Sequence, residues 1–116
     1  MNSADAAHKA LERWREVVDG IVHREGPDLN HRQLAILLNV YLQSPPHTVR
    51  GLASDLGVSK AVITRALDTL GQRGLLKRRR DEEDKRNVLV QRTVKGAVYL
   101  RDMGDLVAKV WELDDE

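Results

Sequence analysis

Two short helical segments in the middle of the chain are joined by only three residues, and this junction constrains the fold more than any other feature. Thr48 is a typical N-cap for the first helix, Gly57 ends it, and Ser59 caps the second. The small Ala53 lies four residues before Gly57, and the branched Ile63 lies six residues after it. A helix-turn-helix motif typically needs three residues of this kind: a small one where the helices cross, one in the turn that tolerates positive φ, and a branched one that packs back against the first helix. An ordinary helical hairpin inside an enzyme or an interaction domain is the alternative interpretation.

The second helix of this motif, predicted over residues 59–73, has an apolar face and a polar face. Small, polar and basic residues near a helix N-terminus suit the major groove of DNA, where Lys and Arg donate to guanine or phosphate and Thr contacts a thymine methyl group. The residues predicted to contact DNA in this region are Thr48, Ser59, Lys60, Ala61, Thr64 and Arg65. We expect Asp68 to orient Arg65, because a free carboxylate would be repelled by the DNA backbone.

A hairpin with a charged tip is predicted directly after these helices. Its strands are expected at 75–79 and 88–90, with most of the charge between them. The predicted DNA contacts of this wing, residues 77–92, are Lys77, Arg79, Arg80, Lys85 and Arg86. Arg86 is the predicted minor-groove residue, and an ion pair with Asp81 or Asp84 would hold its direction. A charge run of this kind is otherwise typical of a solvated surface, because acidic residues partly cancel the basic ones.

Both ends of the chain are predicted to form helices with apolar stripes. In residues 1–25 and 94–113, apolar side chains recur at alternating steps of three and four, which is the period of a helix face. A single chain of 116 residues would struggle to cover both stripes, so we predict a homodimer held by these end helices. The predicted dimerisation residues are Leu11, Trp14, Val18, Ile21, Met103, Leu106, Val110 and Trp111.

A further helix is predicted to begin at a capping box formed by Asn30 and Gln33. With it, the fold class is mainly α with a small β-hairpin wing. We therefore predict a winged helix-turn-helix with five helices and two to three short strands, in a single domain over residues 1–116.

Charge distribution and missing motifs narrow the function. Residues 60–92 hold ten Lys or Arg against five Asp or Glu, which suits a phosphate backbone, although the net charge of the chain is only +1. The four histidines lie far apart and cysteine is absent, so we predict neither a metal site nor a cofactor. No phosphate loop, serine elbow or paired carboxylates indicate catalysis, so we predict that the protein is not an enzyme. With no long apolar run, we expect no membrane association and a cytoplasmic location.

Well over half of the chain resembles the MarR family of winged-helix transcription regulators. The resemblance is carried by LNHRQ at 29–33, LASDLGVSKAVITRALDTL at 52–70, RGLLKRRRDEEDKR at 73–86 and RTVKG at 92–96. It implies a dimer with interlocked end helices, a recognition helix in the major groove and a wing arginine in the minor groove. Arg86, Asp81 and Asp84 fall on the wing pattern, and Ser59, Thr64 and Arg65 fall on the recognition-helix pattern.

These observations predict a sequence-specific regulator that binds double-stranded DNA, acting as a homodimeric repressor on a pseudo-palindrome with half-sites about one helical turn apart. The alternatives are a protein-interaction module that binds an acidic partner and a non-specific DNA-packaging protein. Many members of the family respond to small aromatic acids or to oxidants. With no cysteine and few aromatic residues, this sequence offers no support for a small-molecule effector.

Overall fold

Five helices and one β-hairpin follow one another in the computed structural model, which describes residues 2–112. The elements are α1 (Ser3–His23), α2 (His31–Leu42), α3 (Val49–Leu56), α4 (Lys60–Gln72), β1 (Leu76–Arg80), β2 (Val88–Arg92) and α5 (Val94–Glu112). The predicted mainly helical fold with a small hairpin is therefore confirmed.

The helices begin and end where local side chains satisfy the free backbone groups. Asn30 Oδ1 accepts from the Gln33 backbone N–H at 2.8 Å, and Gln33 Oε1 accepts from the Asn30 N–H at 2.9 Å, which completes the capping box of α2. Thr48 and Ser59 cap α3 and α4 in the same way, through their hydroxyl groups. Gly57 has φ +67°, a left-handed conformation that favours glycine, and it makes the sharp turn between α3 and α4.

The core of residues 29–100 lies between α2, α3, α4 and the hairpin. Its fully buried side chains are aliphatic, as the absence of phenylalanine requires. They include Ile36, Leu37, Val40, Leu52, Ile63, Leu67, Leu70, Leu75, Leu76 and Val90. On α2 the buried residues are Ile36, Leu37 and Val40. The apolar pattern of this helix predicts a face through Leu34, Leu37, Leu38 and Tyr41, of which Leu37 is buried and the other three are half-buried.

The hairpin is antiparallel, with Leu76 opposite Arg92 and Arg80 opposite Val88. Its second strand runs two residues beyond the predicted end. The added residues pair with β1, since Gln91 lies opposite Lys77 and Arg92 lies opposite Leu76. On the outer edge of β2, the backbone N–H of Val90 donates to the His47 carbonyl at 2.8 Å and Thr48 forms an isolated β-bridge with Leu89, so the segment before α3 joins the wing to the helix-turn-helix.

The contacts of the chain divide into two compact units. One spans Leu29–Leu100, and the other combines the chain up to Asp28 with the chain from Arg101 onward. The prediction of a single domain stays a prediction. None of the helices in residues 2–112 is long and apolar enough to cross a membrane.

The second unit buries a residue outside the predicted stripe in α1, whereas in α5 it buries two residues of the predicted stripe. In α1, Val17 is buried, whereas Leu11 and Trp14 are 66% and 44% exposed. In α5, Met103 and Val110 are each only 7% exposed, so these two predicted dimerisation residues are already covered within the chain. Their assignment to a dimer surface stays a prediction. Leu113, which also belonged to the predicted stripe, lies outside the described residues.

Candidate nucleic-acid interface

The recognition helix, α4, separates its buried and exposed residues as expected. Ile63, Ala66, Leu67 and Leu70 are buried against the core. All of the predicted DNA contacts on this helix and its cap are exposed, namely Ser59, Lys60, Ala61, Thr64 and Arg65. This arrangement leaves the first two turns of α4 open to a partner while the opposite side anchors the helix.

Asp68 does not orient Arg65, which corrects the sequence-based expectation. Its Oδ1 accepts a hydrogen bond from Arg78 Nη2 at 2.6 Å, and the two groups form an ion pair between α4 and β1. The turn at Gly74 brings β1 back beside α4, and Arg78 lies on the opposite side of the strand from Arg79. Arg65 therefore has no acidic partner among residues 2–112.

The wing carries a guanidinium–carboxylate fork. Arg86 Nε donates to Asp84 Oδ1 at 3.0 Å and Arg86 Nη2 donates to Asp84 Oδ2 at 3.1 Å, while the Arg86 backbone N–H also reaches Oδ1 at 3.1 Å. These bonds lower the pKa of Asp84 below its ordinary value and raise the pKa of Arg86. Asp81 instead accepts from the Glu83 backbone N–H at 3.0 Å, so it shapes the turn. Of the two carboxylates considered for Arg86, Asp84 makes the contact.

The basic side chains of the hairpin fall into two groups. Arg92 serves the fold, because its guanidinium donates to the carbonyl groups of Val40 at 2.8 Å and Gln43 at 2.9 Å, at the C-terminal end of α2. Arg78 also serves the fold, through Asp68. Four exposed cations make no ion pair within the described range 2–112: Lys77, Arg79, Arg80 and Lys85.

A half-buried joint at the base of the wing was not anticipated from the sequence. The Tyr41 hydroxyl donates to the Leu75 carbonyl at 2.7 Å and accepts from the Thr93 backbone N–H at 2.9 Å. Thr93 Oγ1 in turn donates to the Gly74 carbonyl at 2.7 Å and accepts from the Gly96 N–H at 3.0 Å. This network connects α2, the turn after α4 and the start of α5, and so it holds both ends of the hairpin.

The structure also adds two arginines that sequence reasoning missed. Arg50 is exposed on the first turn of α3, and its charge contributes to the lowered pKa of Asp84 in the wing. Arg32 is exposed on the first turn of α2 and lines the same groove as Arg65. Neither residue belongs to the basic run 77–80, and only the tertiary fold brings them beside the predicted interface.

Thr48 has a structural role in addition to its predicted one. Its hydroxyl caps α3 by accepting from the Gly51 N–H at 2.9 Å, and its half-buried position next to β2 limits its access to DNA. The other predicted contacts are more open. In the part of the chain that the structure describes, no three His, Asp or Glu side chains lie close enough together to hold a metal ion.

Comparisons with known proteins agree with this architecture. The model of the MarR family matches residues 29–88. A mutant of MepR from S. aureus is similar over 97% of this chain and 80% of its own, with 17% identity and a TM-score of 0.77. The transcriptional regulator BldR from Sulfolobus solfataricus is 26% identical over 95% of this chain and 82% of its own, with a TM-score of 0.62.

A third similar structure is the transcriptional repressor CouR bound to a 23-mer DNA duplex. It is 24% identical, covers 93% of this chain and 73% of its own, and has a TM-score of 0.70. The structural likenesses establish the winged-helix fold, and the family model covers more than half of the chain. This protein therefore belongs to the MarR family of winged-helix transcription regulators.

Proposed function

We propose that this DNA-binding transcription regulator is a homodimeric repressor that binds a pseudo-palindromic site, with α4 in the major groove and the wing in the minor groove. The observation that carries the proposal is the exposed polar face of α4 next to a wing whose Arg86 is already held in one direction by Asp84. A repressor role is supported by CouR, a similar structure that is a transcriptional repressor bound to DNA.

The recognition helix supplies the base contacts in this proposal. Arg65 is exposed and has no acidic partner within residues 2–112, so its guanidinium is available for the O6 and N7 atoms of a guanine. Thr64, on the same exposed face, is suited to a thymine methyl group. Lys60 and the capped N-terminus at Ser59 favour a nearby phosphate.

The wing supplies the minor-groove contact. Because Asp84 binds two nitrogens of the Arg86 guanidinium, the side chain loses less conformational freedom when it enters the groove. Asp84 also offsets part of the wing's positive charge. The contribution of Arg86 to DNA binding therefore depends on the direction of its side chain as well as on its charge. The four unpaired wing cations, Lys77, Arg79, Arg80 and Lys85, then lie along the sugar-phosphate backbone.

The end helices supply the dimer contact. Trp14 and Trp111 are 44% and 48% exposed, and Leu11 and Val18 are also exposed in the isolated chain. Exposed large apolar side chains in one compact unit are typical of a surface that associates. A second copy of the chain is the proposed partner, and its two-fold symmetry explains why we expect two half-sites separated by about one turn of DNA.

Selection of bound sites from random DNA tests the proposal, followed by binding to the selected duplex at several salt concentrations. We expect a two-fold symmetric consensus and a log–log salt slope steeper than about −3, since each phosphate contact contributes roughly −0.9. Arg65→Ala and Arg86→Ala should abolish the preference while the dimer persists, with the exposed Arg101→Ala as the control.

Two other results would overturn the proposal. A steep salt slope without sequence preference would indicate a DNA-packaging protein. Absence of DNA binding together with capture of an acidic protein through Arg65 and Arg86 would indicate an interaction module.

A further inference from the structure

A surface groove lies between the start of α2 and the middle of α4, beside the reading face. Its volume is about 230 Å³. The residues that line it are Asn30, Arg32, Gln33, Val62, Arg65, Ala66 and Thr69. The groove is therefore built by two elements, and each of them contributes one exposed arginine.

The groove is positively charged and has no internal counter-charge. No Asp or Glu is among its lining residues, and neither Arg32 nor Arg65 forms an ion pair with any residue from 2 to 112. An exposed guanidinium without an internal partner attracts an anion, and a phosphate beside Arg32 would supply the missing counter-charge. Planar guanidinium groups also match the geometry of phosphate oxygens.

Two of the other polar side chains of the groove use their oxygen atoms in the cap of α2. The side chains of Asn30 and Gln33 accept each other's backbone N–H groups at 2.8 and 2.9 Å, so the cap of α2 satisfies its own backbone donors. The charged donors among the lining residues are the two guanidinium groups. The net positive charge that attracts an anion to this groove is therefore carried by Arg32 and Arg65.

We propose that Arg32 binds a phosphate of the DNA backbone at this groove, so that the DNA interface extends from α4 to α2. This inference rests on the proposed function, in which α4 occupies the major groove. A side chain on the first turn of α2 then meets the DNA strand that borders the major groove, where phosphates are exposed and base edges are not. Arg65 reads a base, and Arg32 fixes the position of the protein along the backbone.

The test compares Arg32→Gln with Arg101→Gln, a matched change of an exposed arginine on α5, in the full-length protein. Binding to the selected duplex and to a random duplex is measured by fluorescence anisotropy at several salt concentrations. Loss of one phosphate contact should weaken binding roughly five-fold at physiological salt and reduce the magnitude of the log–log slope by about 0.9. For a dimer with two such contacts, we expect a loss of roughly 25-fold and a slope change of nearly two.

Three features of the result support the inference. Arg32→Gln should weaken binding to both duplexes equally, because a phosphate carries no sequence information. Arg32→Lys should retain most of the affinity, because a lysine still supplies a point charge to phosphate, whereas Arg65→Lys should reduce sequence preference. Melting of the variants by circular dichroism checks that each one is folded.

The inference fails if Arg32→Gln has the same affinity and salt slope as Arg101→Gln. It also fails if Arg32→Gln loses sequence preference with an unchanged slope, since Arg32 would then read a base. Either result would leave the proposed function standing as long as the unmodified protein selects a consensus. If the unmodified protein shows no sequence preference, the proposed function itself is overturned.

Discussion

Gly96 on the first turn of α5 is expected to be essential for the folded structure. A Cβ atom at this position would overlap both the Tyr41 hydroxyl and the backbone carbonyl oxygen of Leu75. The carbonyl belongs to the backbone and cannot turn away as the end of a side chain can. Gly96→Ala must therefore shift the start of α5, or displace both the Tyr41 ring and the Leu75 carbonyl, and either change disrupts the joint at the base of the wing.

The size of the effect follows from the contacts that are lost. Displacing the Tyr41 hydroxyl breaks its bonds to Leu75 and Thr93, at about 1 kcal/mol each. Overpacking of the buried site adds about 2 kcal/mol. Alanine recovers roughly 0.5–1 kcal/mol because it is a better helix former than glycine. We therefore expect Gly96→Ala to lower the free energy of unfolding by about 3 kcal/mol.

Urea unfolding followed by circular dichroism measures this change, at one fixed protein concentration because dimer formation would add to stability. The same helix offers a matched control. An added Cβ at Gly104 would meet no atom within 4 Å, so Gly104→Ala should stabilise the protein by about 0.5–1 kcal/mol. Gly71 in α4 is equally open and provides a second control.

A neutral or stabilising Gly96→Ala would refute this reasoning. A second measurement identifies the cause. In a Tyr41→Phe background the overlap with the hydroxyl oxygen is gone, while the close approaches to the Leu75 carbonyl and to the ring carbon Cζ persist, so Gly96→Ala should cost less there than in the unmodified protein. Equal costs in the two backgrounds would show that the hydroxyl is not involved.

Three further changes test the interface and its supports. The pKa of Asp84 is lowered because Arg86 binds its charged form, so the fork should persist at neutral pH and be lost as the pH falls through that lowered pKa. In Arg86→Gln, NMR titration of the Asp84 carboxyl group should show its pKa rising toward the ordinary value. An unchanged pKa would contradict the fork. The Asp68–Arg78 pair is partly exposed, so a double-mutant cycle measured by urea unfolding should give a coupling free energy of about 0.2–1 kcal/mol. A coupling free energy of zero would show that the pair does not stabilise the wing against α4. Gly57→Ala should cost about 1 kcal/mol of unfolding free energy because of the positive φ, whereas Gly57→Asn should cost less; equal costs would exclude backbone strain as the cause.

The sequence by itself determined the order of the elements and the helix-turn-helix. Thr48, Ser59 and the Asn30–Gln33 box act on backbone groups only three residues away, so their effect can be read along the chain. Gly57 likewise acts at its own position, through its own φ. Signals of this short range do not depend on how distant segments pack.

Only the tertiary structure decided which charged groups find partners. Asp68 pairs with Arg78, ten residues away, because the turn after α4 and the side-chain alternation of β1 bring them together. Arg92 reaches the end of α2, about fifty residues earlier in the chain, and it is thereby removed from the cations available to DNA. Such pairings depend on strand register and helix rotation, which composition and charge runs do not specify.

The buried stripe of the end helices was also decided by packing. Val17 and Val18 are equally apolar, yet one is buried and the other exposed, because neighbouring residues on a helix point about 100° apart. The apolar period predicted that α1 and α5 would form helices. Which side of each helix the chain covers, and which side it leaves open, follows from the rotation of the helices, because several apolar stripes satisfy the same sequence pattern.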